Sequence, residues 1–255
     1  MPSFCRSFLL MLLGLAGTLT SLRAGPWDEA NAAFAAGEFD RALPLYQEVI
    51  ARDGPSAARL YNLGNTHAKL NQPGLAVLSY EQAALLAPRD ADIQANLKLT
   101  RPPGANSLVE PPSWWKAPLY WLSLHEWSWI AGLGLTAVLL PGLAWLFLTK
   151  RPLWLREATP WALGSGTFLT IFGTLALQQR ADETRLAILT ASEPVLRLSP
   201  FPDATPINAS PPPPGTRVIP GERHGDWIHL TLPASSTAGW VPAKDVTRII
   251  PEAGG

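Results

Sequence analysis

Residues 127–149 read WSWIAGLGLTAVLLPGLAWLFLT, and residues 158–179 read ATPWALGSGTFLTIFGTLALQQ. These runs of 23 and 22 residues contain no charged side chain. A helix rises about 1.5 Å per residue and the hydrocarbon core of a bilayer is about 30 Å thick, so either run is long enough to cross it. The sequence therefore predicts two transmembrane helices, with a buried hairpin of a soluble domain as the alternative.

The connection between the two runs, residues 150–157, carries Lys150, Arg151 and Arg156 against Glu157 alone. Because cytoplasmic loops are enriched in Lys and Arg, we expect this turn to be cytoplasmic. The segments before and after the hairpin would then both face the periplasm from a bacterial inner membrane. Eight of the eleven Trp residues fall between positions 114 and 161, in two groups that fit the two aromatic belts of a membrane protein.

Small residues at four-residue spacing predict which faces of the two helices meet. The predicted ridges are Ser128, Gly132 and Thr136 in the first helix and Ala162, Gly166, Thr170 and Thr174 in the second.

Residues 1–24 resemble a secretory signal peptide. Arg6 precedes a short apolar run, and Leu22-Arg23-Ala24 is a tolerable cleavage site. An uncleaved anchor is the alternative. The only cysteine, Cys5, lies in this segment, so a cleaved chain would have no thiol chemistry. The net charge of zero gives no reason to expect a nucleic acid as partner.

Residues 26–100 contain an internal repeat with a period of 34 residues. The shift aligns Asn31 with Asn65, Ala42 with Ala76, Tyr46 with Tyr80 and Gly37 with Asn71. A period of this length with helical apolar spacing predicts helix pairs stacked in an array. Gly37 and Asn71 are suited to the turn between the two helices of each pair.

The second repeat, LYNLGNTHAKLNQPGLAVLSYEQAALLAP, resembles a tetratricopeptide repeat. It departs from that family at His67 and Leu60, where Tyr and Trp are usual. The resemblance implies a groove that binds extended peptides or partner helices. The residues that it places in the groove are Trp27, Asn31, Phe34, Tyr61, Asn65 and Lys69. The alternative is that the asparagines only satisfy local backbone groups.

Residues 101–126 are predicted to be a proline-rich linker followed by an interfacial segment. The linker reads RPPGANSLVEPPS, and the segment WWKAPLYWLSLHE is apolar on most sides, which favours contact with membrane lipid.

Residues 184–250 have the pattern of short strands, with four consecutive prolines from Pro211 to Pro214. The stretches GDWIHL and GWVP, with a preceding Pro-Gly-Thr, resemble a bacterial SH3-like barrel. Trp227 and Trp240 either form a ligand shelf or fill the small core, and the core is favoured because large aromatic residues dominate small cores.

No catalytic motif is present in the sequence, and the chain is predicted not to be an enzyme. The four histidines are scattered over three segments without metal-ligand spacing, and no phosphate loop or nucleophile elbow occurs. We expect no catalytic residue, no metal and no cofactor.

The order of segments makes this chain similar to repeat-containing members of the Bat (Bacteroides aerotolerance) family. The predicted fold class is a multidomain membrane protein with an all-α tetratricopeptide array, a two-helix transmembrane hairpin and a small all-β SH3-like barrel. The resemblance implies a scaffold in an envelope stress or aerotolerance complex, beside von Willebrand A-domain Bat proteins and a MoxR-type ATPase. The alternative is a membrane anchor or sensor that binds peptidoglycan through the barrel.

Overall fold

The computed structural model describes residues 25–101, 117–150, 152–207, 211–233 and 237–250. The predicted signal peptide and residues 102–116 of the predicted linker lie outside these ranges. Within them the chain is mostly helical, with seven α-helices and a small antiparallel sheet of five short strands.

The first five helices form a unit that we call the helical array. They are α1 (Pro26–Ala35), α2 (Phe39–Asp53), α3 (Ala57–Lys69), α4 (Pro73–Leu86) and α5 (Ala91–Thr100). Successive helices pack on one another along the chain. Ser56 and Asp90 cap α3 and α5 by accepting hydrogen bonds from backbone N–H groups of the first turn.

Gly37 and Asn71 take the turns between α1 and α2 and between α3 and α4, as the repeat predicts. Their φ angles are 79° and 55°, the left-handed region that glycine and asparagine tolerate best. Tyr46 and Tyr80 lie one repeat apart and are almost completely buried. The 34-residue period of the sequence is therefore a period of the structure.

Two long apolar helices, α6 (Leu124–Phe147) and α7 (Leu153–Thr184), follow the array. Both are long and apolar enough to cross a membrane, judged by length and composition. Helix α7 begins at Leu153, so Arg156 and Glu157 lie in its first turns and the connection is shorter than the predicted 150–157.

The contact between α6 and α7 differs from the predicted ridges. On α6 it runs through Ala131, Gly134 and Val138, whereas Ser128, Gly132 and Thr136 are exposed. On α7, Gly166 and Thr170 lie in the contact as predicted, but Gly173 takes the place of Thr174. The ridge predicted for α6 was wrong because small residues also occur on faces that do not meet another helix.

The segment before α6 folds back over the end of α7. Ser123 and Glu126 form a capping box at the start of α6, and the indole Nε1 of Trp127 donates to the carbonyl oxygen of Leu119 at 3.0 Å. Arg180, almost completely buried, donates to the carbonyl oxygen of Leu122. Its guanidinium also lies 5.4 Å from the ring centroid of Tyr120.

The remaining chain forms what we call the β-sheet module. Its strands are β1 (Ala187–Leu189), β2 (Arg217–His224), β3 (Trp227–Thr231), β4 (Ala238–Pro242) and β5 (Val246–Arg248). All pairs are antiparallel, and the order across the sheet is β4-β3-β2-β1-β5. The core includes Leu189, Leu196, Val218, Leu230 and Val241.

The β-sheet module packs directly on the helical array. One hydrophobic cluster contains Val77 and Leu78 of α4 together with Ile188 of β1 and Ile249 after β5. Gln82 of α4 also donates from Nε2 to the carbonyl oxygen of Ile249 at 2.9 Å. The two parts are separated in sequence by the apolar hairpin, yet they share a core.

Candidate binding sites on the array and the β-sheet module

Two asparagines of the array accept paired hydrogen bonds in the same way. Asn31 Oδ1 accepts from the hydroxyl of Tyr46 at 2.8 Å and from Nδ2 of Asn62 at 3.0 Å. One repeat later, Asn65 Oδ1 accepts from Tyr80 at 2.6 Å and from Asn96 at 2.9 Å. We call these two sets the asparagine ladder.

The asparagine ladder ties neighbouring helices together. Asn31 to Asn62 joins α1 to α3, and Asn65 to Asn96 joins α3 to α5. Burial raises the pKa of Tyr80 to about 12, and the nearby Tyr61 adds to this effect. The Tyr80 hydroxyl is therefore protonated at neutral pH and donates a hydrogen bond to Asn65.

Most of the predicted groove residues contact neighbouring side chains, and one of them is exposed to solvent. Trp27 lies edge-on to Tyr46 with 5.6 Å between ring centroids, and Phe34 lies 5.3 Å from Phe39 in the same manner. Tyr61 accepts a hydrogen bond from Asn96 at 3.0 Å. The last predicted residue, Lys69, is exposed at the end of α3.

In the asparagine ladder, Asn31 and Asn65 use only their side-chain oxygen atoms. The Oδ1 atoms of Asn31 and Asn65 already accept two hydrogen bonds each. Within the described ranges their Nδ2 groups are neither hydrogen-bonded nor completely buried. Two amide donors therefore stand one repeat apart on the face that was predicted to bind a peptide, where each fits a backbone carbonyl.

Trp227 and Trp240 lie on the outer face of the sheet. His229 is directly opposite Trp240, and Trp227 is opposite Pro242. Because side chains alternate along a strand, these residues point away from the face that carries Leu230. Both indoles are half-buried and neither belongs to the core cluster.

The two indoles have different neighbours. Trp240 is flanked by the rings of His229 and His224, at centroid distances of 5.2 and 6.5 Å. Trp227 instead lines an open cleft of about 870 Å³. The structure does not join them into the single shelf that the sequence led us to consider.

The cleft beside Trp227 is lined by side chains of both charges. Its charged residues are Glu193, Arg197, Arg223, Asp226, Lys244 and Asp245, and Val195, Pro202 and Pro242 supply apolar surface. Across the described part of the chain, none of the six makes an ion pair within 4 Å.

Backbone carbonyls hold two of the cations of the cleft in place. Arg197 donates from Nη1 to Ala204 at 2.7 Å, and Arg223 donates from Nε to Gly225 at 3.1 Å. Partial burial raises the pKa of Asp245, an effect that the adjacent Lys244 opposes. A cleft with fixed cations, carboxylates and an indole wall suits a ligand that carries both an ammonium and a carboxylate group.

Sequence reasoning missed the cleft and the contact between the array and the β-sheet module. Only Trp227 of the cleft residues was selected from the sequence, since scattered charges of both signs give no local pattern. Glu81, by contrast, had a signal. It is the only charged residue of α4, a helix whose other residues are mostly apolar or small on every side, and such a helix is expected to be buried all round.

Among the residues that the structure describes, no three His, Cys, Asp or Glu side chains are grouped as metal ligands. The chain matches no protein-family model, no curated protein and no solved structure among those compared.

Proposed function

We propose that this chain is a non-catalytic scaffold of a bacterial inner membrane, which holds two binding modules in the periplasm. The observation that carries the proposal is the exposure of its two apolar helices. In their most apolar 18-residue windows, only 6% of α6 and 17% of α7 is buried by protein. A surface of this kind is unfavourable in water and is stable in lipid.

The orientation rests on charge and on where the modules attach. Lys150 and Arg156 lie near the connection between α6 and α7, which favours a cytoplasmic turn. At the opposite end, Arg89 of the array contacts Glu126 of α6 at 2.6 Å. Both modules then lie on the periplasmic side.

Binding by the array is supported by the amide donors of Asn31 and Asn65 and by the exposed Lys69. A tetratricopeptide array would use such a face for an extended segment of a partner protein. By the resemblance to BatE-like proteins, the expected partners are von Willebrand A-domain Bat proteins and a MoxR-type ATPase system.

Topology is tested with single cysteines at exposed positions of a Cys5→Ser chain. The positions are Glu48 in the array, Thr149 in the turn and Thr247 in the β-sheet module. A membrane-impermeant maleimide applied to intact spheroplasts should label Glu48→Cys and Thr247→Cys but leave Thr149→Cys unlabelled until the membrane is opened. Labelling of Thr149→Cys alone would show that the turn between α6 and α7 is periplasmic and that both modules are cytoplasmic.

Partner binding is tested by placing a photo-crosslinking amino acid at Lys69 in living cells. Glu48, exposed on α2, is the matched control position. We expect adducts with an envelope protein from Lys69 and none from Glu48. Adducts from Glu48 alone, or none from either position, would contradict binding at the predicted groove.

A second candidate function, a membrane anchor or sensor that binds peptidoglycan, is favoured by the cleft. Peptidoglycan peptides carry free ammonium and carboxylate groups, which match the mixed charges beside Trp227.

A further inference from the structure

Helix α4 is covered on two sides. Ala83 packs with Leu60 of the array, whereas Val77 and Leu78 share a cluster with Ile188 of the β-sheet module. The approach is close: a Cβ atom on Gly74 would lie 2.8 Å from the carbonyl oxygen of Leu189. The contact is therefore between backbones as well as side chains.

A buried carboxylate lies at the centre of this contact. Glu81 accepts from Arg217 of β2 through two hydrogen bonds, Nε to Oε1 at 2.8 Å and Nη2 to Oε2 at 2.6 Å. Arg101, at the end of α5, forms an ion pair with the same carboxylate. The Glu81 side chain is only 5% exposed, and those of Arg101 and Arg217 are 18% and 20% exposed. The carboxylate of Glu81 therefore stabilises two guanidinium groups, and they stabilise it, in a region with little water.

Both ends of the intervening segment meet at this same place. The chain leaves the array at Arg101, which contacts Glu81. It returns at Leu186, whose carbonyl oxygen accepts from the N–H of Ile249 at 3.1 Å and whose side chain packs on the shared cluster. The apolar hairpin is an insertion between two points held side by side.

We propose that the array and the β-sheet module form a single composite domain, which Glu81 locks through Arg217 and Arg101 and into which the membrane hairpin is inserted. The face of the array that carries Asn65 and the cleft beside Trp227 then have fixed relative positions. The domain presents them to a partner as one bipartite surface rather than as two modules on flexible linkers. This goes beyond the proposed function and does not depend on its partners.

The test cuts the full-length chain while it is folded. A specific protease site is inserted within residues 102–116, and the chain is purified in detergent micelles and cleaved. We expect the array fragment to remain bound to the rest of the chain without a covalent link. Release from the otherwise unsubstituted chain would overturn the proposal.

Substitutions in the nicked chain identify the lock. Glu81→Gln should weaken the association about 100-fold or more, since it leaves the guanidinium groups of Arg217 and Arg101 without their carboxylate. Arg217→Gln should weaken it about tenfold, because Glu81 keeps its ion pair with Arg101 but loses both hydrogen bonds from β2. The double variant should be no weaker than Glu81→Gln alone, because the two residues pair. Arg89→Gln, which removes only the exposed contact with Glu126, should keep the fragment bound. If Arg89→Gln releases the fragment and Glu81→Gln does not, Glu81 does not hold the array on the β-sheet module.

Gly74→Ala separates loss of docking from loss of folding. Alanine favours the helix more than glycine does, so an undocked array should become more helical. Its methyl group would collide with the backbone of Leu189 and Thr190, so the nicked chain should release the fragment. Higher helicity together with release supports the proposal, and retention of the fragment would show that this close approach does not exist.

Discussion

The guanidinium of Arg217 holds the carboxylate of Glu81 through two hydrogen bonds of 2.8 and 2.6 Å, across 136 residues of sequence. A planar guanidinium matches both oxygens of a carboxylate, so the pair fixes orientation as well as distance. Because Glu81 lies on α4 and Arg217 on β2, the relationship fixes the β-sheet module on the helical array.

The residues of the asparagine ladder should contribute unequally to the stability of the array. Tyr80→Phe leaves Asn65 with its bond from Asn96 and should cost about 1 kcal/mol in the free energy of local unfolding. Asn65→Ala deprives the buried Tyr80 hydroxyl of its acceptor and Asn96 of one of its two acceptors, and it should cost about 2–3 kcal/mol. Hydrogen exchange of the α3 and α4 amides in the full-length chain measures both values.

Gln47→Ala, at an exposed position on α2, is the matched control for these variants. If Asn65→Ala changes the exchange of α3 and α4 no more than Gln47→Ala does, the ladder does not stabilise the array.

Two glycines of α6 should respond oppositely to the same substitution. A Cβ atom on Gly134 would lie 2.6 Å from the backbone nitrogen of Thr170, whereas one on Gly132 would have no atom within 4 Å. Gly134→Ala should push α6 from α7 and destabilise the hairpin by about 1–3 kcal/mol. Gly132→Ala should be neutral or slightly stabilising. Unfolding in micelles with increasing dodecyl sulfate measures the difference, and equal effects would contradict the contact of Gly134 with Thr170.

Much of the array was predictable because its signals are local and repeated. The φ angles of Gly37 and Asn71 and the burial of Tyr46 and Tyr80 all follow from one 34-residue period. The existence of two long apolar helices was equally predictable, since length and composition decide it. Which face of α6 meets α7 was not, because Gly132 and Gly134 are the same residue type two positions apart.

The contacts between distant parts of the chain could not be predicted from the sequence. Glu81 is recognisable as a lone charge in an apolar helix, but its partner Arg217 lies beyond the hairpin and has no sequence pattern that connects the two. Likewise, the outward direction of Trp227 depends on the register of β3 with β4. A slip of one residue in that register would have turned the indole to the core side.

His67 should make the array less stable in mild acid. Burial lowers its pKa below 6.5, although its hydrogen bond with Gln72 Oε1 at 2.7 Å opposes the shift. The unfolded chain therefore takes up the proton first as the pH falls, so stability is full above about 6.5 and declines below it. Hydrogen exchange of α3 at several pH values, corrected for the intrinsic exchange rate, measures the decline.

His67→Gln removes the titrating group and is the control for this pH dependence. The variant should show a flatter profile between about pH 7 and 5 than the unsubstituted chain. Identical profiles would show that another group causes the acid sensitivity.

Binding to cell-wall material should distinguish the two tryptophans of the sheet. Only Trp227 lines the cleft, so Trp227→Ala should weaken co-sedimentation of the full-length chain with purified peptidoglycan about tenfold, whereas Trp240→Ala should not. The full-length chain in micelles is required, because the array covers Ile188 and Ile249 of the β-sheet module. Added salt should also weaken binding, since four of the six charged residues of the cleft are exposed. Equal losses for both variants would place the site outside the cleft. If the unsubstituted chain stays in the supernatant, the peptidoglycan function is wrong and the scaffold remains the candidate to pursue.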